Sequence, residues 1–118
     1  MQQSQWGNWN NKFHAEKTVI DGIIFDSKAE ALHYCELRAM ERAGKIFQLE
    51  RQVKFNLIPS EEDSTGHRQR EINYFADFVY FDENMKRHVE DVKGVKTPVY
   101  NLKKRLMWHV HHILIEEV

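Results

Sequence analysis

This chain of 118 residues is poor in several things, and each scarcity removes a class of explanation. Cys35 is the only cysteine, so no intrachain disulfide can form. Its position in an apolar-periodic stretch predicts a buried thiol in a reducing compartment, the cytoplasm. Long apolar runs are missing too: stretches such as Ile113 to Ile115 are far too short to cross a bilayer or to form the centre of a signal peptide, so neither a membrane nor an export route is expected. No glycine-rich loop suited to phosphate and no nucleophile elbow occurs. Neither an internal repeat nor a linker divides the chain. Positive charge is not in excess, the net charge being -1, and a nucleic-acid-binding domain usually carries more lysine and arginine than acid.

What is present suits one core. With 42% hydrophobic residues, a chain of this length buries roughly two thirds of its unfolded surface, which predicts a single domain over residues 13–118. Residues 1–12 are nearly all Gln, Asn, Ser, Gly and Trp without a period that would bury a face, and read as a flexible arm. Trp6 and Trp9 in that arm are of a type that stacks on bases. Charge is unevenly spread: between Lys86 and Arg105 seven basic residues face two acids, Glu90 and Asp91. A basic surface around a small acidic centre is what a metal-dependent nuclease needs.

Periodicity gives the elements. Asp21-Gly22 between two short β-branched segments predicts a tight hairpin. Ser27, three residues before Glu30, has the spacing of a capping box, and Leu32, Cys35, Ala39 and Ala43 recur at helical intervals until Gly44, predicting a helix over 28–43. Ile46 to Leu57 turns to strand character and stops at Pro59. Glu61 to Arg70 reads as a charged loop. Ile72 to Phe81 and His88 to Lys93 are predicted to pair as a hairpin at the centre of a sheet through a turn at Asp82 to Met85. Pro98 suits a first helical turn, with Tyr100, Leu102, Leu106 and Val110 following, and Ile113 to Glu117 closes as a strand. The fold class is α/β (α+β), in the order αβββαβ after a leading β-hairpin.

Chemistry concentrates in the central hairpin. Asp91 and Lys93 are two apart on a predicted strand and share a face, and the turn brings Asp77 on the neighbouring strand towards Asp91. Two carboxylates suit magnesium or manganese, and an adjacent ammonium can orient water or oppose phosphate charge. Asp-x-Lys on a strand is also a common solvated ion pair. What sets Asp77 apart is its company of Phe75, Ala76, Phe78, Val79 and Tyr80, where an acid needs a partner or a metal. Glu30, read locally, simply closes the cap of its helix. Glu90, adjacent to Asp91, points to the opposite face and is assigned to structure.

Glu30, Asp77 and Asp91-Val92-Lys93, in that order, resemble the core of the PD-(D/E)XK nuclease superfamily. More closely, the chain is similar to a family of small phage proteins of unknown function assigned to that superfamily. The similarity runs through Gly22 to Glu30, Gly44 to Gln52, Tyr74 to Tyr80 and Glu90 to Thr97, and covers nearly everything from Lys17 to Val118. It implies a mixed central sheet flanked by helices, a restriction-endonuclease-like core. Glu30, Asp77 and Asp91 would bind Mg2+, for which Mn2+ can substitute, and the carbonyl of Val92 would complete the shell. Lys93 would sit against the scissile phosphate or the attacking water, and Gln52 near the site. Ala76 stands where the superfamily motif has proline, a position without chemistry. Lys96, Lys103 and Lys104 are candidates for holding DNA backbone, and equally for plain solvation.

The resemblance implies a DNA endonuclease, phage-encoded, acting as a homodimer on branched recombination or replication intermediates in the manner of a Holliday junction resolvase. The rival is a module on the same fold that binds DNA or protein without cutting. His109, His111 and His112 form a second cluster of potential metal ligands, but their spacing matches no zinc motif and structural roles are expected.

Overall fold

A computed structural model describes residues 17–118; the arm at 1–12, with Trp6 and Trp9, lies outside the described residues. These residues gather into two compact units, one ending at Ala39 and one running from Met40 to Val118. The fold class is the expected one: an α/β protein with a leading antiparallel hairpin, two helices and a four-stranded mixed sheet.

In the first unit, β1 (Thr18–Ile20) and β2 (Ile23–Phe25) pair through Asp21 and Gly22, with φ of 54° and 76°. Two consecutive left-handed residues give the turn whose twist matches that of the strands, and Asp-Gly tolerates both. Helix α1 (Lys28–Arg42) begins at Ser27, whose Oγ accepts the Glu30 N–H at 3.1 Å, the first half of the predicted capping box. Its buried stripe is Glu30, Ala31, Tyr34 and Leu37. Tyr34 packs its ring 5.1 Å from that of Phe25, and its hydroxyl donates to Asp21 at 3.3 Å, so the hairpin is bound to the helix by one aromatic pair and one hydrogen bond. The expected stripe was displaced. Leu32 is 53% exposed and Cys35 is exposed rather than buried, because the large aromatic at 34 sets which side of the helix turns inward.

The second unit starts with the end of α1. Gly44, at φ 73°, donates to the Glu41 carbonyl, and Lys45 to that of Met40, stopping the helix where glycine is cheapest. The sheet order is β3 (Ile46–Ile58), β6 (Ile72–Asp82), β7 (Arg87–Asp91) and β8 (Glu116–Glu117), with β3, β6 and β7 antiparallel and β8 parallel to β7. The predicted charged loop carries its own short ladder, β4 (Glu61–Glu62) with β5 (Arg68–Gln69). Asp63 organises that turn. Its carboxylate accepts from the amides of Thr65 and His67, the Thr65 hydroxyl and the Gln69 side chain, which together hold it down to about 2. Strand β7 ends two residues before the predicted Lys93, and β8 is shorter than predicted, because only Glu116 and Glu117 find partners on β7.

Helix α2 (Pro98–Leu106) is capped by Thr97, whose hydroxyl accepts the Tyr100 N–H at 3.1 Å, and continues as a π-helical turn, Met107–His111. His112 ends it at φ 57°. Tyr100 and Met107 are the buried members, whereas Leu102 and Val110, expected inside, lie exposed. Tyr100, Met107 and Ile115 close one core with Phe55, Leu57, Tyr74, Ala76, Val79 and Val89 of the sheet.

On β6, Tyr74 and Ala76 share that core with Val79. Strict alternation would send residue 79 to the other side. The pleat therefore slips by one across Asp77 and Phe78. On β3 the same place is marked by Gln52 at φ 50°, and the ladder pairs Arg51 with Phe78 and Val53 with Ala76 around it. Irregular ladders of this kind re-aim side chains.

The opposite face of β6 and β7 carries a second polar cluster. His88 stacks on Tyr80 at 4.9 Å and places its two ring nitrogens 2.8 Å from Asp82 and Glu116. Burial opposes charge on His88, but the two carboxylates outweigh it and raise its pKa above 6.5; the His88 bond holds Asp82 below 3.8.

Two outcomes are expected. The His88 contacts stabilise fully between pH 3.8 and 6.5, and lose that effect as pH climbs through the raised His88 value or falls through the lowered Asp82 value. The melting-temperature deficit of His88→Gln should therefore be largest near the middle of that window and shrink on both sides; equal deficits at acid, neutral and alkaline pH would contradict this. Thr97→Ala should cost about 1 kcal/mol in chemical denaturation through loss of the cap.

Candidate active site

The slip in β6 places Asp77 between its neighbours on both sides. Its Oδ1 accepts from Gln52 Nε2 of β3 at 3.1 Å, and its Oδ2 accepts from the backbone N–H of Val92 beyond β7 at 2.8 Å. Three adjacent strands thus fix one carboxylate, and the amide that fixes it belongs to the residue after Asp91. Gln52, expected near the site, is one of its anchors.

Asp91 shares the core side with Val89 and is 2% exposed. The Tyr74 hydroxyl, from within the same core, donates to its Oδ2 at 2.6 Å. Burial first, and then the bond to Asp91, push the Tyr74 phenol well above its usual range, so it remains a donor. The other oxygen, Oδ1, is buried and has no hydrogen-bond partner among the described residues. Lys93 Nζ stands 3.3 Å from it, an ion-pair distance without hydrogen-bond geometry, and lies 4.3 Å above the centre of the Tyr100 ring. A carboxylate beneath and an aromatic face beside it both attract a cation.

Asp77, Asp91 and Lys93 are therefore brought together, with Gln52, Tyr74 and Tyr100 around them. Burial pushes the Asp77 carboxyl above its usual value of 3.8, and the charge of Asp91 pushes the same way, against the Val92 amide, the Gln52 amide and Lys93. Two acids this close repel each other, and one of them has an unsatisfied oxygen. That is the condition a hard divalent cation relieves. The donors fit such an ion in kind, being oxygens only: two aspartates and the Val92 carbonyl. Among the described residues no three His, Cys, Asp or Glu side chains converge on one point, so the set is partial. Glu30 belongs to the first unit, where it is 8% exposed near the start of α1.

The lysines expected to hold DNA have nearer partners. Lys96 and Lys104 reach Glu117 at 2.9 and 3.1 Å, and Tyr100 donates its hydroxyl to the same carboxylate at 2.8 Å. Lys96, then Tyr100 and Lys104, hold Glu117 down to about 2. Lys103 is half-buried in the last turn of α2, where a cation suits the carbonyl end of the helix. Glu117 was not singled out in the sequence. It pairs in register with Asp91 across the parallel β7–β8 ladder, and the signal that could have found it is its place two residues after the buried Ile115.

Glu90, 4% exposed, accepts from the Tyr80 hydroxyl at 2.5 Å on the far side of the sheet, the structural role assigned to it. The three histidines go separate ways. His111 donates from Nε2 to the Asn56 carbonyl at 2.7 Å and His112 sets its ring against Trp108, while His109 is exposed.

In metal-free protein, the Asp77 carboxyl carbon should titrate above 3.8 by NMR, and Asp91→Asn should move that midpoint down by removing the neighbouring charge. An unchanged midpoint would mean that the two carboxylates do not interact.

No curated protein and no solved structure matches the chain. A family model described as "Protein of unknown function (DUF1064)" matches residues 10–115, a stretch that holds Glu30, Gln52, Asp77, Asp91 and Lys93 and stops just short of Glu117. Spanning nearly the whole sequence, that match makes the chain a member of the DUF1064 family.

Proposed function

We propose that this protein is a metal-dependent DNA endonuclease that hydrolyses phosphodiester bonds, phage-encoded and acting as a homodimer on branched recombination or replication intermediates. The observation that carries the activity is Asp91: a buried carboxylate with one unsatisfied oxygen, set beside a second aspartate and a lysine. A fold that needed only stability would gain little from this arrangement, because a buried acceptor without a hydrogen bond costs on the order of 1–3 kcal/mol and the ion pair with Lys93 only partly offsets it. Such sites are where function is expected to override stability.

Each residue then has a task. Tyr74 fixes the Asp91 carboxylate through its hydroxyl and leaves the other oxygen without a hydrogen bond, beside Lys93. Gln52 and the Val92 amide do the same for Asp77, so neither acid needs to reorganise when substrate arrives. Lys93 presents its ammonium beside Asp91, where it can donate to a non-bridging phosphate oxygen as negative charge builds there. Mg2+, or Mn2+ in its place, would be held by Asp77, Asp91 and the Val92 carbonyl, with Glu30 as the ligand the resemblance implies, and would supply Lewis acidity and a more acidic bound water. The branched substrate and the homodimer rest on the resemblance to small resolvases alone.

The test is cleavage of labelled junction, flap, single-stranded and duplex DNA with Mg2+, Mn2+ or EDTA. Cutting should require the metal and fall by at least about 10²-fold in Asp91→Asn and in Lys93→Ala, with circular dichroism unchanged. Tight DNA binding without cutting under every condition would instead establish a non-cleaving binding module.

A further inference from the structure

Glu117 stands outside the set of residues that the nuclease reading uses, yet three groups converge on it. Lys96 bonds one oxygen at 2.9 Å; Lys104 and the Tyr100 hydroxyl share the other at 3.1 and 2.8 Å. The ring of that same Tyr100 lies beneath Lys93 Nζ, and Lys93 in turn pairs with Asp91. Glu117 is also the direct register partner of Asp91 on the neighbouring strand. A continuous path therefore runs from Glu117 through the tyrosine hydroxyl and ring to the lysine ammonium and back to the aspartate.

We infer that Glu117 is a positioning residue for the proposed phosphodiesterase site, acting through Tyr100 on Lys93 while masking the charges of Lys96 and Lys104 until a phosphate backbone competes for them. The inference rests on the nuclease reading of Asp77, Asp91 and Lys93. Its first half follows from geometry: a tyrosine ring held only by packing can swing its far end about the Cα–Cβ bond, whereas a hydroxyl fixed to the Glu117 carboxylate holds that end in place. The ring face is where the attraction for an ammonium is strongest, so the position of the ring sets where Lys93 rests. The second half follows from charge. Two ammoniums shared with one carboxylate carry a local balance of +1 instead of +2, and each further free ammonium adds one phosphate contact.

The two roles separate by substitution. Tyr100→Phe removes the anchor and leaves the lysines paired; Glu117→Gln removes the charge and leaves an oxygen for Tyr100; Glu117→Ala removes both. On the preferred DNA substrate with Mg2+, Tyr100→Phe should lower kcat by about tenfold with little change in KM. Glu117→Ala should lower both, and Glu117→Gln should recover much of the lost kcat while keeping the lower KM. Independently of cleavage, the ε-methylene protons of Lys93 should resonate upfield in the wild type, from the current of the Tyr100 ring. They should move downfield in Tyr100→Phe and Glu117→Ala.

Tyr100→Phe with wild-type kcat and an unmoved Lys93 resonance would overturn the positioning role even if Glu117→Ala failed to fold. Glu117→Gln with unchanged KM would overturn the masking role. A wild-type protein that cuts no DNA would remove the nuclease reading and this one with it, whereas active variants indistinguishable from an active wild type would remove this one alone.

Discussion

The arrangement depends on one constraint: Asp91 is a carboxylate inside a hydrophobic core. Its strand position puts it two residues after Val89, on the same side as Tyr74, Tyr100 and Ile115. Taking an ionised carboxylate out of water costs several kcal/mol unless charge and hydrogen bonds replace the lost hydration. The tyrosine hydroxyl from β6 answers one oxygen and the lysine two residues on offers its charge to the other. Neither donor is fortuitous, since residue 93 follows residue 91 on the same side of the chain and Tyr74 lies just across the hairpin.

A comparison within the same strand shows what is special there. Glu90, the next residue back, is buried almost as deeply on the other face, where it receives the Tyr80 hydroxyl near the stacked ring of His88. The histidine there has a carboxylate at each nitrogen, so both ring nitrogens are engaged across β6, β7 and β8. That face reads as a polar network that locks three strands. The Asp91 face also sets two acids against one cation, but there one carboxylate oxygen has an ion pair with Lys93 and no hydrogen bond among the described residues. Adjacent residues on one strand thus differ in how their burial is met, Glu90 within a polar network and Asp91 with one oxygen lacking a hydrogen bond.

Much of this was legible in the sequence because it rests on short-range rules. Asp21-Gly22, Ser27 with Glu30, Gly44 and Pro98 each mark a turn or a helix end by local chemistry, and the structure has the turn and helix ends at those places. The pairing of Ile72–Asp82 with Arg87–Asp91 was likewise readable from composition and a tight turn. Three things were not. The inward stripe of α1 was misplaced because periodicity alone cannot say which of two overlapping stripes is buried; Tyr34 and its contact with Phe25 decide it. The slip at Asp77 leaves no trace in composition, since Gln52 is not a residue that announces a positive φ. Glu117 was missed because its place two residues after Ile115 shows only that it faces the core side, while its pairing with Asp91 forms after a long crossover through α2.

Strand β3 has a further consequence. It is thirteen residues long and lies at one margin of the four-stranded sheet, the sort of open edge along which a foreign strand could add itself. Its backbone does not offer a continuous row of groups, however. Gln48 and Gln52 both sit at positive φ, the register shifts between Phe47 and Glu50, and the Leu49 amide that the shift releases is taken by the Glu41 carboxylate at 3.2 Å. The positive φ of Gln52 that accompanies its bond to Asp77 and the separate shift at Phe47 to Glu50 together interrupt the template for sheet extension. A strand laid along residues 47–52 of this edge would find no continuous ladder to join.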